Sequence, residues 1–267
     1  MRGHEWTPRT TDVPLISVII PAYNARRFIG DAIRSVLEQP FSVDLIVVDD
    51  GSTDGTSDEV AGLGKEIRVV RCERNMGVPS ALNLGLKHAR GSVMGFLDAD
   101  DTWSAGRLRA EMSLLSNRPE AMALWGRTRV VFLTGGNSDG SPSPDWLPQF
   151  FPALGSMLFR RAVFERIGRF DPTLRHAQDI DFLARAQEAK VRFVRHRDIV
   201  LTWRRHAMNM TNNVTLDRDY LATAIRRALQ RRRGVVSQTT TAGSLECPKG
   251  LVESGLGAME HRGEWDE

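Results

Sequence analysis

Three carboxylates crowd into four positions of the stretch GFLDADDTW, residues 95–103, directly after an apolar run that reads as a buried strand. Asp98, Asp100 and Asp101 repel one another there and resist desolvation, so they need a cation, hydrogen-bond donors or open water. Asp98 and Asp100 stand two apart, and in an extended segment they project to the same side and can converge on one cation. Oxygen-only ligands favour Mg²⁺ or Mn²⁺ over zinc, and a sparsely ligated ion of that kind completes its shell with substrate phosphates. A solvated turn or a helix cap uses the same residue types, so the cluster alone leaves both readings open.

The elements that must position these acids lie on either side of them. Residues 15–21, 43–50, 67–71 and 92–98 read as strands, separated by helical patterns at 25–39, 52–63 and 77–91, and this alternation specifies a parallel α/β sheet. Phe28, Ile29, Ala32, Ile33, Val36 and Leu37 share one face of the first helix. Pro79 suits the first turn of the third helix and Gly91 its end. Polar signals fall at the strand ends: PAYN after the first, Asp49 and Asp50 on the second, the Asp98 cluster on the fourth. Ligands of open parallel sheets bind at the carboxyl ends of strands, so three strand ends point at one site.

Beyond residue 105 the pattern predicts a helix at 106–117, a strand at 122–133 and a mobile polar loop at 134–146. Next come a strand running into a short helix that Gly168 stops, and a helix at 177–189 with Ile180, Leu183, Ala184 and Ala186 inward. A last helix falls within 214–233, and a poorly ordered tail is expected from about Val235.

The composition, 41% hydrophobic and 26% charged over 267 residues, is that of a globular protein, and no apolar run approaches the ~20 residues of a membrane span. The polar N-terminus has no signal-type segment, so a cytoplasmic location is expected. Cys72 and Cys247 are read as free thiols, which excludes a disulfide framework or a cysteine metal cage. Net charge is only +3, yet arginines concentrate between 185 and 233. A solvated helix face is the commoner reason for such a run, and a phosphate-rich or membrane-surface partner the rarer one.

DADDT fits two patterns, the nucleophile motif of haloacid-dehalogenase-type phosphatases and the D-x-D metal site of nucleotide-sugar transferases. The first follows the opening strand of its domain, whereas three strands precede Asp98. SVIIPAYNARRFIGDAIRSVLEQ, LIVVDDGSTDGT, RNMGVPSALNLGL and FLDADD resemble, in order and spacing, the successive motifs of glycosyltransferase family 2. The likeness continues through GSMLFRRAVFERIGRFDPTLRHAQDIDFLARA and covers about residues 15–205.

That resemblance implies a GT-A fold: a Rossmann-like, mixed, mostly parallel sheet flanked by helices in a single domain. It spans 14–234, with a nucleotide-sugar half at 14–104 and an acceptor half at 105–234, between an extension at 1–13 and a tail at 235–267. It further implies that Pro21, Ala22 and Tyr23 line the base pocket and that Asp50 accepts a hydrogen bond from the base, uracil in the first instance. Asn83 is placed at the ribose or diphosphate, with Asn75 in the same stretch. Asp98 faces ribose or metal, Asp100 holds the divalent cation, Mg²⁺ or Mn²⁺, and Asp179 is the general base. Asp181 is a weaker candidate for that base, and Gln178 stands where the family often has Glu. His206 offers a ligand to the metal or a hydrogen bond to the diphosphate, which Arg204 or Arg205 neutralises.

The implied reaction is metal-assisted, inverting transfer from a nucleotide-diphospho-sugar, a UDP-sugar by preference, to a saccharide or lipid-linked acceptor of the cell-envelope polysaccharide type. Nucleic acid is not an expected partner, and the basic helix 226–233 is compatible with peripheral attachment at the inner face of a membrane. A catalytically silent sugar-nucleotide-binding protein is the alternative, since the sheet could persist without turnover.

Overall fold

The computed structural model describes residues 14–133, 148–174, 177–209 and 221–231. The first half alternates as the sequence predicts: β1 (Ile16–Ala22), α1 (Ile29–Leu37), β2 (Val43–Asp49), α2 (Thr56–Ala61), β3 (Arg68–Arg71), α3 (Val78–His88) and β4 (Val93–Phe96). β1 pairs in parallel with β2 and β4, and β2 with β3. Every residue of β1 is buried, as expected of a central parallel strand with helices on both faces. Ile16, Val18 and Ile20 join Ile29, Ile33 and Val36 of α1 in one core, while Ile19 packs with Ala81, Leu82 and Leu86 of α3 in the other. The period-2 alternation of the strand thus feeds two layers.

The second half adds β5 (Thr102–Trp103), α4 (Arg107–Asn117), β6 (Ala123–Phe132), a 3₁₀ turn (Leu154–Ser156), β7 (Met157–Arg160), α5 (Arg161–Ile167), α6 (Gln178–Glu188) and β8 (Phe193–Arg205). One eight-stranded sheet results, in the order β3-β2-β1-β4-β7-β6-β8-β5. β7 runs antiparallel to β4 and β6, and β8 runs parallel to β6 and antiparallel to β5. The sheet is mixed and mostly parallel, flanked by helices.

Three local differences from expectation have physical causes. Gly91 does not end α3, which stops at His88; it lets the chain pass β1, where a Cβ would lie 2.5 Å from the Leu15 carbonyl and the Ser17 nitrogen. The inward face of α6 is Asp181, Phe182, Ala184 and Ala186, with Ile180 and Leu183 only half-buried. The helix is turned so that Phe182 enters an aromatic cluster, its ring centroid 4.8 Å from Phe170, 5.1 Å from Phe164 and 5.5 Å from Phe159. β8 was not anticipated as a strand, because FVRHRDIVLTWRR carries arginines on both faces and a register shift interrupts its pairing with β6.

Gly168 does close α5, at φ 79°, and Cys72 is a buried free thiol. Of the last expected helix, residues 221–231 are helical. The 1–13 extension, the 134–146 loop, Cys247 and the 235–267 tail lie outside the described residues. Among the described residues no helix is long and apolar enough to cross a membrane.

The contact of α3 on β1 yields a test. A Cβ at Gly85 would stand 2.4 Å from Ile19 Cγ2. Gly85→Ala gains ~1 kcal/mol of helix propensity, whereas overpacking a close-packed core costs ~1–3 kcal/mol. Denaturant unfolding should therefore show a net loss of stability, and a gain would mean that α3 can lift off β1 at no cost.

Candidate active site

The carboxyl ends of β1, β2 and β4 meet on one side of the sheet. Pro21 and Ala22 end β1 in buried positions, and Tyr23 emerges 49% exposed. The loop after β1 is laced to the turn after β2: Asn24 N–H donates to Ser52 Oγ at 3.0 Å, Thr53 N–H to Asn24 Oδ1 at 2.9 Å, and Ala25 N–H to Thr56 Oγ1 at 2.9 Å. Asp49 is buried and accepts Ser52 N–H at 2.8 Å and the Ser57 hydroxyl. Asp50, 3% exposed, accepts Met76 N–H at 2.9 Å and Gly77 N–H at 2.8 Å, which draws the loop before α3 against the end of β2. A carboxylate has about four lone-pair sites, so these two bonds leave acceptor capacity at that position. Asn75 turns inward on its own loop and accepts Gly77 N–H at 3.0 Å.

The aspartate turn after β4 is held from β8. Arg204 donates its backbone N–H to Asp101 Oδ1 at 2.9 Å, its Nε–H to the Asp100 carbonyl, and a terminal N–H to Asp31 Oδ2 at 2.8 Å. His206 stacks on Phe28 at 4.3 Å and accepts Met208 N–H on Nδ1 at 3.2 Å. An Nδ1 that accepts leaves the proton on Nε2, which donates to Asp100 Oδ2 at 3.1 Å. Asn209 completes the grip: its side-chain amide donates to Asp100 Oδ2 at 2.9 Å and to the Arg204 carbonyl at 3.1 Å, while its oxygen accepts His206 N–H. Sequence reasoning missed Asn209; its signal was the position three residues after His206.

Asp98 opens into the crevice but is hemmed in by protein. That confinement, followed by the charges of Asp100 and Asp179, pushes its carboxyl up to about 8. Burial together with Asp98 and Asp100 likewise carries Asp101 well above the usual carboxylate range, against the pull of Arg204. A cation among these groups would relieve the repulsion. His206 Nε2 and Asp100 Oδ2, 3.1 Å apart, are spaced as adjacent ligands each roughly 2.1 Å from one ion, in the tautomer whose ring proton sits on Nδ1. Among the described residues no three His, Cys, Asp or Glu side chains are arranged to hold an ion unaided, so the set fits a cation whose shell a diphosphate completes.

Asp179 stands in the first turn of α6. Leu154 N–H donates to its Oδ2 at 3.3 Å, while Oδ1 is buried without a partner. Desolvation raises this carboxyl to about 6, partly offset by the Leu154 N–H. Its charge acts on Asp98, which places the two on the same crevice.

Three sequence candidates have protein partners of their own. Asn83 donates to the Phe170 carbonyl at 2.8 Å and accepts Phe170 N–H at 3.0 Å, so both ends of its amide are engaged in fastening the chain before α6 to α3. Arg204 is 8% exposed, and its guanidinium serves Asp31 and the carbonyls of Asp100 and Phe28. Asp181 is buried in an ion pair with Arg185 at 2.9 Å and is no base. Arg205, half-buried, lies over the Trp203 ring at 4.9 Å.

Comparison with known proteins agrees with this layout. Residues 17–132 match the model of Glycosyl transferase family 2. The chain is 36% identical over 154 residues to the putative teichuronic acid biosynthesis glycosyltransferase TuaG of Bacillus subtilis, covering 56% of this chain and 57% of that protein. It is 38% identical over 103 residues to the UDP-Glc:alpha-D-GlcNAc-diphosphoundecaprenol beta-1,3-glucosyltransferase WfgD of Escherichia coli, covering 38% of this chain and 41% of that one. The chain thus spans little more than half the length of TuaG and less of WfgD. The mannosyltransferase PcManGT of Pyrobaculum calidifontis, solved with GDP-Man and Mn²⁺, superposes with a TM-score of 0.65 at 22% identity, over 86% of this chain and 68% of that one. S. aureus TarS 1-349 with UDP-GlcNAc gives 0.60 at 22% identity, over 74% of this chain and 61% of that one. The sheet order, the acids at its strand ends and these matches lead to one assignment: residues 17–132 match glycosyltransferase family 2, and the chain has the GT-A fold.

Proposed function

We propose that this chain is an inverting glycosyltransferase that moves a sugar from a nucleotide-diphospho-sugar, a UDP-sugar, to an acceptor hydroxyl, with Asp179 as general base. The observation that carries the reading is Asp179 Oδ1: a buried oxygen with no partner, on a carboxyl raised to about 6, facing the crevice that Asp98 occupies. A buried polar atom is costly to leave unsatisfied, and an acceptor hydroxyl would satisfy it by donating the proton it must lose. Pro21, Ala22, Tyr23 and Asp50 take the base end of the donor. Asp98 faces the ribose, and Arg205 neutralises the diphosphate.

Asp100 and His206, together with the donor's own diphosphate, would hold a divalent cation, which when bound neutralises charge on the leaving nucleoside diphosphate. One displacement with no covalent sugar intermediate inverts the anomeric carbon, unlike the two-step retaining route. The names of TuaG and WfgD support an acceptor of the cell-envelope polysaccharide type, a saccharide or a lipid-linked one, and we place the reaction on the cytoplasmic side.

Nucleoside diphosphate release from a panel of sugar nucleotides with Mn²⁺ or Mg²⁺ is the direct test. Donor-dependent release that EDTA abolishes is expected, and phosphate release from a simple ester without donor binding would overturn the reading. Asp100→Ala should weaken metal-dependent donor binding by about tenfold or more; unchanged metal dependence would move the cation elsewhere.

Asp179→Asn should keep donor binding and lower transfer by about 10²–10⁴-fold. In the unsubstituted chain, transfer should climb as pH rises through about 6, where the base loses its proton. Stability runs the other way. The native state holds this proton up to about 6 and the unfolded chain only to about 3.8, so stability is full below the lower value and is lost as pH rises through the upper one. In EDTA at pH above neutrality, Asp179→Asn should therefore stabilise the fold by ~1–3 kcal/mol, a gain that disappears in acid. Chemical unfolding at the two extremes checks both signs.

A further inference from the structure

Helical residues 221–231 display a face that the proposed reaction does not use. Leu221, Ile225 and Leu229 are 40%, 38% and 48% exposed, and they recur every fourth residue, so their side chains align in one stripe. The opposite side is fastened down. Ala224 is 1% exposed, and Arg227 donates to the Asp171 carboxylate and, at 2.9 Å, to Thr173 Oγ1. Arg226 is exposed beside the stripe, and the segment 221–233 contains five arginines and no acidic residue.

We infer that this helix is a docking face for an anionic lipid surface, with Leu221, Ile225 and Leu229 entering the headgroup–acyl boundary and Arg226 among the phosphates. An apolar stripe bordered by arginine is the pattern of an interfacial helix. The charge of the segment decides between occupants: it has arginines and no acid, so a second copy would set like charge against like, whereas anionic headgroups attract it.

The placement deepens the proposed reaction and rests on it only for the acceptor. Asp171 and Thr173, which hold the helix, follow Phe170, which Asn83 clamps, and precede the α6 turn carrying Asp179. A surface docked on this helix is thereby tied to the segment that delivers the base, and the acceptor class it favours is a lipid-carried saccharide over a free one.

The test is sedimentation of the full chain with phosphatidylcholine vesicles containing phosphatidylglycerol, against pure phosphatidylcholine, with donor binding measured separately in solution. Binding to the anionic vesicles should weaken in high salt, and Ile225→Ser with Leu229→Ser should reduce it by about tenfold or more. Donor binding should be unchanged in that variant, which also verifies its fold. Arg226→Glu should weaken vesicle binding through charge alone. Equal binding of the double variant, no preference for anionic vesicles, or a vesicle-free dimer that the double variant dissolves would each overturn the inference. Vesicle docking by a chain that binds no sugar nucleotide would uphold this face while refuting the transferase reading.

Discussion

Arg204 lies beneath the Asp98–Asp101 turn with its backbone N–H on Asp101, its Nε–H on the Asp100 carbonyl and a terminal N–H on Asp31. Everything proposed for the site depends on this clamp, because the turn it holds is electrostatically unfavourable on its own. Two carboxylates ~4 Å apart in a partly screened site repel by about 4 kcal/mol, and each hydrogen bond to a charged group returns ~1.5–3 kcal/mol. His206 and Asn209 add two donors on Asp100 Oδ2, the oxygen turned toward the proposed cation. β8 thus supplies the order that the acids cannot supply for themselves, and leaves Asp98 as the member whose charge is least compensated.

Asp179, the proposed base, is set by a second internal frame. Arg107 and Glu111 form a fully buried pair at 2.6 Å, with the guanidinium 4.2 Å from the Trp103 ring centre. Taking both charges out of water is expensive, and removing one partner of such a pair costs ~3–5 kcal/mol. Arg107 also donates to the Gly155 carbonyl at 2.5 Å, and the neighbouring Leu154 N–H is the donor on Asp179. Trp103 follows the aspartate turn by two residues, so one packed unit indexes that turn and Asp179 to each other. Such a frame keeps Asp179 Oδ1 dry and unpartnered while its other oxygen is anchored.

The sequence made the parallel half of the sheet readable because its strands are continuous β-branched runs and α1 has a clean apolar face. It misled where a residue type serves two purposes. Asn83 and Arg204 have the chemistry to bind a ribose or a diphosphate, yet the backbone of Phe170 and the carbonyls of Asp100 and Phe28 claim them. α6 was rotated in the reading because Asp181 looked like an outward acid. The Arg185 partner that makes its burial tolerable lies one turn on and cannot be weighted without the packing of Phe182.

What the sequence determined by itself is chemistry and order: which strand ends carry acids, and that Asp50, Asp98, Asp100 and Asp179 follow one another in the pattern of a family. Local periodicity and residue type suffice for that, since both are properties of short windows. Only the tertiary structure decided the company each acid keeps. β8 comes about a hundred residues after the aspartate turn, and its arginine-broken alternation gives no local sign of a strand. Its place beside β6 is fixed by long-range pairing, so which side chains hold the acids and which face a ligand is settled only when the sheet closes.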